Sequence, residues 1–207
     1  MTDVYAELAR LGSATVYEAA GRTGLIDVPL TRIVPGSRAA GPARIARCAA
    51  GDNLMVHAVL DRAQPGEVLV LTFPEPEPVA LLGELVATQA KVRGAAAVLV
   101  DAAVRDIDEL AELGLPIWAR WVSIRGADKK AVGSLDVPVT VGSAAIEPGD
   151  AIVLDGDGAA VVPKARLDEV LAASRKRAEY ETDKRNKLEA GALSYDLDGL
   201  RKIVEGD

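Results

Sequence analysis

Short apolar runs alternate with helical segments through the middle of the chain, and this alternation limits the fold more than any other feature of the sequence. Seven runs have the length and the apolar or β-branched character of strands: 43–48, 67–73, 96–100, 116–120, 137–141, 151–154 and 159–162. Glycine and proline separate several of them, as at Pro65-Gly66. Strands that alternate with helices predict a mixed α/β domain.

Helical spacing of apolar residues predicts the remaining elements. The predicted helices cover 4–11, 15–20, 53–63, 79–93 and 106–113, and a long charged helix follows over about 163–190. Residues 29–41 read as loop or irregular strand, and Pro74, Pro76 and Pro78 predict a stiff, extended connector. The run Asp155–Gly158 predicts a tight hairpin turn rather than a calcium loop, because the calcium spacing is incomplete.

Composition favours one well-buried domain. Only seven of the 207 residues are aromatic, although hydrophobic residues make up 49%. A core of closely packed alanine, valine and leucine suits α/β layers, and a chain of this length is sufficient for one such core. We therefore predict an α/β domain over residues 1–162 and a C-terminal helical arm over 163–207, which packs on the same or a neighbouring subunit.

Charge and cysteine content limit the partners and the compartment. The net charge of -7 argues against a nucleic-acid groove, because phosphate neutralisation needs clustered lysine and arginine. Cys48 is the one cysteine, so no internal disulfide can form. The N-terminal residues do not resemble a signal peptide, and no apolar run approaches the ~20 residues of a membrane span. The sequence predicts a cytoplasmic protein with no membrane and no nucleic-acid partner.

The stretch from Gly83 to Asp106 is the candidate site. Gly83–Val86 begins a predicted helix, whose first N–H groups can bind a carboxylate. Arg105 offers a planar fork of donors, and Asp106 offers one carboxylate for a hard metal ion. Together these groups suit an anionic keto acid.

Each of these residues also has an ordinary structural interpretation. Gly83–Val86 can be a plain joint between loop and helix, and Arg105 can form a surface ion pair with Asp101 or Asp108. Asp106 with Glu109 has the spacing of a helix capping box, which the spacing alone favours over a metal ligand.

Two further groups have structural interpretations. His57, the one histidine, indicates a structural or supporting group, because one histidine without cysteines cannot build a zinc site. Asp52 is predicted to cap the helix that follows it.

Several short motifs together resemble a known family. They are Thr15-Val16-Tyr17-Glu18-Ala19, Gly51-Asp52-Asn53, Gly83-Glu84-Leu85, Arg93-Gly94, Val104-Arg105-Asp106, Pro148-Gly149-Asp150 and Asp157-Gly158. They resemble the divalent-metal-dependent 4-hydroxy-4-methyl-2-oxoglutarate / 4-carboxy-4-hydroxy-2-oxoadipate aldolases. These enzymes share their fold with the RraA-like regulators of ribonuclease E activity. The long charged C-terminal helix with Leu188, Ala190 and Gly191 is similar to the aldolase branch.

The resemblance implies roles for individual residues. The family pattern is an acidic residue, twenty positions and then Arg-Asp, and Glu84 with Arg105-Asp106 fits it, although the family has aspartate where this chain has Glu84. Glu84 and Arg105 are then catalytic, Asp106 binds Mg²⁺ or Mn²⁺, and a neighbouring subunit supplies Glu181 or Glu179. The substrate would contact Gly83, Glu84, Leu85, Val86 and Arg105.

The resemblance also implies a fold, an activity and an assembly. The fold would be the three-layer β/β/α swivelling-domain type, assembled as a trimer or as a hexamer of two trimers. The activity would be cleavage of a 4-hydroxy-2-oxo acid to pyruvate, with oxaloacetate decarboxylation as a second activity. Three alternatives stay open: a ribonuclease E regulator, a protein that binds a keto acid without cleaving it, and a Schiff-base aldolase using Lys91 or Lys129.

Overall fold

A curled sheet runs through the protein, and its strands come largely from the apolar runs of the sequence. The computed structural model describes residues 4–206. Within them the strands are β1 (Thr31–Arg32), β2 (Ala39–Arg47), β3 (Val68–Thr72), β4 (Ala80–Leu82), β5 (Ala97–Val104), β6 (Ile117–Val122), β7 (Ser134–Leu135), β8 (Val139–Val141), β9 (Ala144–Ile146), β10 (Ala151–Leu154) and β11 (Ala159–Val162). The helices are α1 (Val4–Leu11), α2 (Ser13–Ala19), α3 (Leu54–Arg62), α4 (Glu84–Val92), α5 (Ile107–Leu113), α6 (Leu167–Glu189), α7 (Ser194–Leu197) and α8 (Leu200–Glu205), with a 3-10 turn over Lys164–Arg166.

Parallel strands form the centre of the main sheet. The strand order is β1-β6-β5-β3-β2-β10-β11, and the pairs β2–β3, β3–β5 and β5–β6 are parallel. The short strands β4 and β7 pair with β5 and β2, while β8 and β9 form a separate hairpin. Because parallel neighbours need crossover connections, α3 and α5 pack against the sheet between the strands that they join.

The two faces of the central strands pack against different layers. Leu69 and Leu71 of β3 belong to the core that includes buried residues of α3, α4 and α5. Val68 and Val70 point to the opposite core, which includes residues of the β8–β9 hairpin. This alternation follows the two-residue period of a strand. The result is the predicted α/β class with three layers: hairpin, sheet and helices.

The long helix α6 has buried residues only in its first turns. Val170 and Leu171 join a third core with Leu8 of α1 and Val16 of α2, and Ser174 is the last residue of α6 that is buried. The following turns remain beside the domain through polar contacts, since Arg175 forms an ion pair with Glu7 of α1 and Arg177 lies 3.7 Å from Glu18 of α2. The division of the chain at residue 162 stays a prediction.

Several predicted boundaries were wrong. The helix predicted from residue 79 begins only at Glu84, because Ala80–Leu82 is a buried strand that pairs with β5. β2 begins at Ala39, inside the segment predicted to be irregular, since it also pairs with β10. The hairpin strand β9 and the short helices α7 and α8 were not predicted, because three to six residues carry too little periodicity to be recognised.

The turn and capping predictions had mixed outcomes. The hairpin turn at 155–158 is confirmed, since Leu154 pairs with Ala159 across it. Asp52 accepts the N–H of Leu54 through Oδ1 (2.8 Å), although Asn53 is the residue that precedes α3.

None of the helices within residues 4–206 is both long and apolar enough to cross a membrane.

Candidate active site

The short pairing of β4 with β5 brings the candidate residues together. The N–H of Arg105 donates to the carbonyl of Leu82 (3.1 Å), so Gly83 and Arg105 lie side by side at the carboxyl ends of two parallel strands. Helix α4 begins directly after Gly83, and α5 begins directly after Asp106. The carboxyl ends of parallel strands are the usual place for a ligand site in α/β proteins.

Asp106 has the backbone and the contacts of a constrained residue rather than of a helix cap. Its φ and ψ of 61° and 44° are left-handed, and its side chain makes no capping hydrogen bond to α5. The capping-box prediction is therefore wrong. Instead, Oδ2 accepts the N–H of Glu84 (3.0 Å) and lies 3.7 Å from Nε of Arg105. Within residues 4–206 the other oxygen, Oδ1, has no hydrogen-bond or ion-pair partner.

Gly83 is a glycine because of its neighbours and not because of its own backbone. Its φ of −133° is accessible to any residue. A Cβ placed there would collide with Oδ2 of Asp106 and would lie 3.1 Å from both Cγ and Nε of Arg105. The glycine thus leaves the space in which the carboxylate and the guanidinium meet.

Arg105 is half exposed and does not form the predicted ion pair with Asp101 or Asp108. Its side chain is 49% exposed, and its ion pair is with Asp106. Asp101 is buried and pairs with Nε of Arg120 at 2.8 Å. Arg105 also faces the loop after β6, where a Cβ added to Gly126 would lie 3.0 Å from Nη1. The guanidinium is therefore placed between α4 and this loop.

A cleft of about 190 Å³ lies between the start of α3, the start of α4 and the loop after β6. It is lined by Asn53, His57, Ala80, Leu81, Gly83, Leu85, Val86, Arg105, Asp106, Ala127 and Lys129. Of the predicted substrate-binding residues, Glu84 alone does not line the cleft. Its main-chain N–H bonds to Asp106, while its carboxylate Oε1 accepts a hydrogen bond from the hydroxyl of Thr88 (2.8 Å).

Helix α3 and the residue before it contribute polar groups that were not predicted as site residues. Asn53 is 7% exposed and donates through Nδ2 to the carbonyl of Leu81 (3.1 Å). Its Oδ1 and Nε2 of His57 are buried and have no hydrogen-bond partner among the described residues. The spacing of Asn53 and His57 could have indicated this, because residues four apart lie on one face of a helix.

The loop that carries Lys129 is held by a buried carboxylate. Oδ2 of Asp52 accepts the N–H groups of Lys130 (2.6 Å) and Ala131 (3.0 Å), while Oδ1 accepts that of Leu54. Burial alone would raise the pKa of Asp52, but these N–H groups hold it below its ordinary value. The charged carboxylate thereby fixes the loop, and with it Lys129, against the start of α3. The sequence could not show this, because the contact spans 78 residues.

The two glutamates predicted for a neighbouring subunit lie on α6. Glu181 forms an ion pair with Arg177 (2.8 Å). Glu179 lines a larger groove of about 540 Å³ between α1 and α6, which shares no lining residue with the cleft. Neither side chain lines the cleft of its own chain, so a role in a neighbouring site stays a prediction.

The two candidate lysines have different positions. Nζ of Lys91 donates to the carbonyl of Leu113 (2.6 Å), and the residue is not part of the cleft. Lys129 lines the cleft. A Schiff-base mechanism would therefore need Lys129.

The potential metal ligands at this site fit a hard divalent ion held by one protein carboxylate. Among residues 4–206, no three His, Cys, Asp or Glu side chains gather as a ligand cluster. Asp106 presents one oxygen without a partner beside an open cleft. Mg²⁺ commonly keeps several waters and takes only one or two carboxylates, so Asp106 would suffice as its protein ligand.

Comparison with known proteins identifies the family of this chain. The RraA-like family model, described as Aldolase/RraA, matches residues 13–161. A protein of Halalkalibacterium halodurans, provisionally named a 4-hydroxy-4-methyl-2-oxoglutarate aldolase, is 38% identical over 166 residues, which are 80% of this chain and 76% of the relative. A Burkholderia mallei protein with the same provisional name is 36% identical over 72% of this chain and 90% of its own length.

Solved structures show the same fold. An uncharacterised protein of Pseudomonas syringae pv. tomato superposes with a TM-score of 0.82 over 92% of this chain and 90% of its own, at 24% identity. Streptomyces coelicolor RraAS2, described as an unusual member of the RNase ES inhibitor RraA family, gives 0.74 at 29% identity over 89% and 96% of the two chains. The fold and the matched sequence together show that this chain belongs to the RraA-like family.

Proposed function

We propose that this protein is a divalent-metal-dependent lyase that cleaves 4-hydroxy-4-methyl-2-oxoglutarate, or a related 4-hydroxy-2-oxo acid, to pyruvate. The observation that carries the proposal is the pairing of Asp106, with one unpartnered oxygen, and Arg105 at the start of α4. The provisional aldolase names of relatives at 36% and 38% identity support the same reaction. A homo-oligomer, trimer or hexamer, and a cytoplasmic location are part of the proposal.

The helix start and the arginine would bind the keto-acid end of the substrate. The N–H groups of Leu85 and Val86 have no partner within α4, as expected in the first turn of a helix. Such groups bind carboxylates well, and Arg105 adds a charged donor next to them. The substrate's 1-carboxylate and 2-oxo group would therefore lie between α4 and Arg105.

The bond to be broken lies between C3 and C4 of the substrate. Removal of the proton from the 4-hydroxyl lets its electrons form a carbonyl at C4, and the C3–C4 electron pair passes into a pyruvate enolate, which takes up a proton from water at C3 to give pyruvate. Arg105 would stabilise the negative charge that develops on the enolate oxygen. Glu84 would accept the hydroxyl proton through an ordered water. A Mg²⁺ or Mn²⁺ ion held by Asp106 would supply Lewis-acid polarisation of the 2-oxo group.

Oxaloacetate decarboxylation follows from the same chemistry. Loss of CO₂ from C4 leaves its electron pair in the same pyruvate enolate, and protonation at C3 completes pyruvate. No different arrangement of residues is needed, so we propose this reaction as a second activity.

The opposite wall of the cleft would bind the far end of the substrate. Lys129 is the cationic side chain there, and Asn53 lies at the start of α3 beside it in the lining. A second carboxylate on the substrate would pair with Lys129, which favours dicarboxylic over monocarboxylic 4-hydroxy-2-oxo acids.

Pyruvate release tests the proposal directly. The protein is assayed with 4-hydroxy-4-methyl-2-oxoglutarate and with oxaloacetate, in Mg²⁺, in Mn²⁺ and in excess chelator. Turnover that needs the metal supports the proposal. Turnover that survives the chelator, together with borohydride trapping of pyruvate on Lys129, would instead establish the Schiff-base mechanism.

Regulation of ribonuclease E is the second candidate function. The RNA-processing inhibitor RraA of the Thermus structure has a TM-score of 0.61 and 31% identity over 68% of this chain and 83% of its own. A protein that binds ribonuclease E and inhibits it, while releasing no pyruvate from either substrate, would favour this reading.

A further inference from the structure

The carboxylate of Glu84 is fastened to its own helix by Thr88. We propose that Thr88 is a positioning residue for the lyase reaction: its hydroxyl holds one oxygen of Glu84 and leaves the other to receive the substrate proton. This inference rests on the proposed function and adds to it a residue that does not line the cleft.

Glu84 is held at two points. Its main-chain N–H donates to Oδ2 of Asp106 (3.0 Å), so its backbone is fixed to the proposed metal ligand. Its Oε1 accepts the hydroxyl of Thr88 (2.8 Å), which lies one turn further along α4. Oε2 has no hydrogen-bond or ion-pair partner among residues 4–206. One carboxylate oxygen is thus bound and the other is available.

The length of the glutamate side chain makes this contact possible. Residues four apart on a helix have Cβ atoms about 5–6 Å apart, so a long acceptor can reach a hydroxyl on the next turn. Aspartate, with one methylene fewer, reaches less far along the helix. The hydrogen bond between Thr88 and residue 84 therefore depends on glutamate, rather than aspartate, at this position.

A fixed carboxylate has a chemical consequence. A free glutamate on a helix surface exchanges among several staggered rotamers, which direct its oxygens to different places. The Thr88 hydroxyl limits this freedom and keeps Oε1 occupied as an acceptor. Proton transfer through a water needs this kind of defined position, because small displacements of a base reduce the rate strongly.

Removal of the hydroxyl tests the inference. Thr88→Val has nearly the same shape without the donor, Thr88→Ala is a second variant that lacks it, and Thr88→Ser keeps it. Each is made in the natural chain and in the Glu84→Asp background, and kcat and KM for metal-dependent pyruvate release are measured. Thermal unfolding of each variant shows that it is folded.

We expect Thr88→Val to lower kcat about tenfold with KM changed less than about twofold, because a hydrogen bond to a charged group is lost while the binding residues remain. Thr88→Ser should restore kcat. In the Glu84→Asp background, Thr88→Val should have no further effect, since the shorter side chain does not use the hydroxyl.

Two results would overturn the inference while leaving the lyase intact. One is an active natural protein whose kcat is unchanged in both Thr88→Val and Thr88→Ala. The other is an equal loss in the Glu84→Asp background, which would mean that Thr88 acts on the helix and not through Glu84. A natural protein that releases no pyruvate under any condition removes the proposed function, and this inference with it.

Discussion

At the scale of single residues, the sequence around Asp106 fits both a helix cap and a metal ligand, and the structure excludes the helix cap. The spacing to Glu109 favoured a helix cap. The left-handed backbone of Asp106 instead directs Oδ2 to the N–H of Glu84 on another helix. Aspartate tolerates this conformation better than most residues, and Arg22 and Asp136 also have positive φ, so it is the contact with Glu84 that distinguishes Asp106.

Gly83 provides the first test at this scale. Gly83→Ala should lower the turnover about a hundredfold or more, because the added Cβ displaces the carboxylate of Asp106 and the side chain of Arg105. The backbone angles at Gly83 suit alanine, so the fold should be retained. Steady-state kinetics and far-UV circular dichroism measure the two effects. Natural activity in Gly83→Ala would show that the site lies elsewhere.

Cys48 provides a second test. The thiol is buried, and burial raises its pKa to about 12, so almost no thiolate forms at neutral pH. A thiol reagent at pH 8 should label the folded protein very slowly and the denatured protein at once. Rapid stoichiometric labelling of the folded protein would contradict the burial of Cys48.

At the scale of elements, the site depends on contacts that local sequence patterns do not reveal. The three residues of β4 read as the beginning of a helix, yet their pairing with β5 is what places Gly83 beside Arg105. The loop with Lys129 reaches the cleft through Asp52, far away in the chain. The buried strands and the long helices were predictable because their apolar periodicity is strong, whereas short pairings depend on tertiary contacts.

A second buried carboxylate joins α2 to the β10–β11 hairpin. Asp155 accepts the N–H (2.8 Å) and the hydroxyl (2.6 Å) of Ser13 at the start of α2. Burial alone would raise the pKa of Asp155, but these bonds and the N–H of Asp157 hold it below its ordinary value. A carboxylate with a lowered pKa stabilises the fold at neutral pH, and this contribution is lost as the pH falls through the folded-state pKa.

Ser13→Ala and Asp155→Asn test this contact. Ser13→Ala should lower the free energy of unfolding at pH 7 by about 2 kcal/mol, the usual net value of a hydrogen bond to a charged group. Asp155→Asn should also be less stable at pH 7, and its stability should decline less than that of the natural protein below about pH 4. Urea unfolding across this pH range measures both. Parallel pH curves for the natural protein and Asp155→Asn would refute the assignment.

At the scale of the whole molecule, the C-terminal segment leaves apolar side chains without cover in the single chain. Leu193, Ile203 and Val204 are 58%, 78% and 72% exposed, and α6 buries nothing beyond Ser174. Exposed apolar groups on a terminal segment are typical of a subunit contact. The fold class and the cleft residues Gly83, Arg105 and Asp106 were predictable from sequence motifs. Asn53, His57 and the loop with Lys129 were not, because tertiary contacts bring them to the cleft.

Mixing of inactive variants tests whether a neighbouring arm completes the site. If Glu181 acts in a neighbour's cleft, then Glu181→Ala and Asp106→Ala are each inactive, and their mixed oligomers should recover part of the activity because some clefts contain both natural residues. Glu179→Ala serves as the matched variant two residues earlier on α6, about half a turn away, and should keep its activity. An inactive Glu179→Ala beside an active Glu181→Ala would assign the role to Glu179 instead.

We propose Asp106 as the metal ligand of a pyruvate-forming lyase. The most direct measurement compares metal-dependent pyruvate release from 4-hydroxy-4-methyl-2-oxoglutarate by the natural protein, Asp106→Asn and Asp108→Asn. Asp108 lies in the first turn of the same helix α5 and does not line the cleft, so it controls for a change of charge there. We predict that Asp106→Asn loses turnover at any Mg²⁺ concentration while Asp108→Asn keeps it. Full metal-dependent turnover in Asp106→Asn would contradict the account.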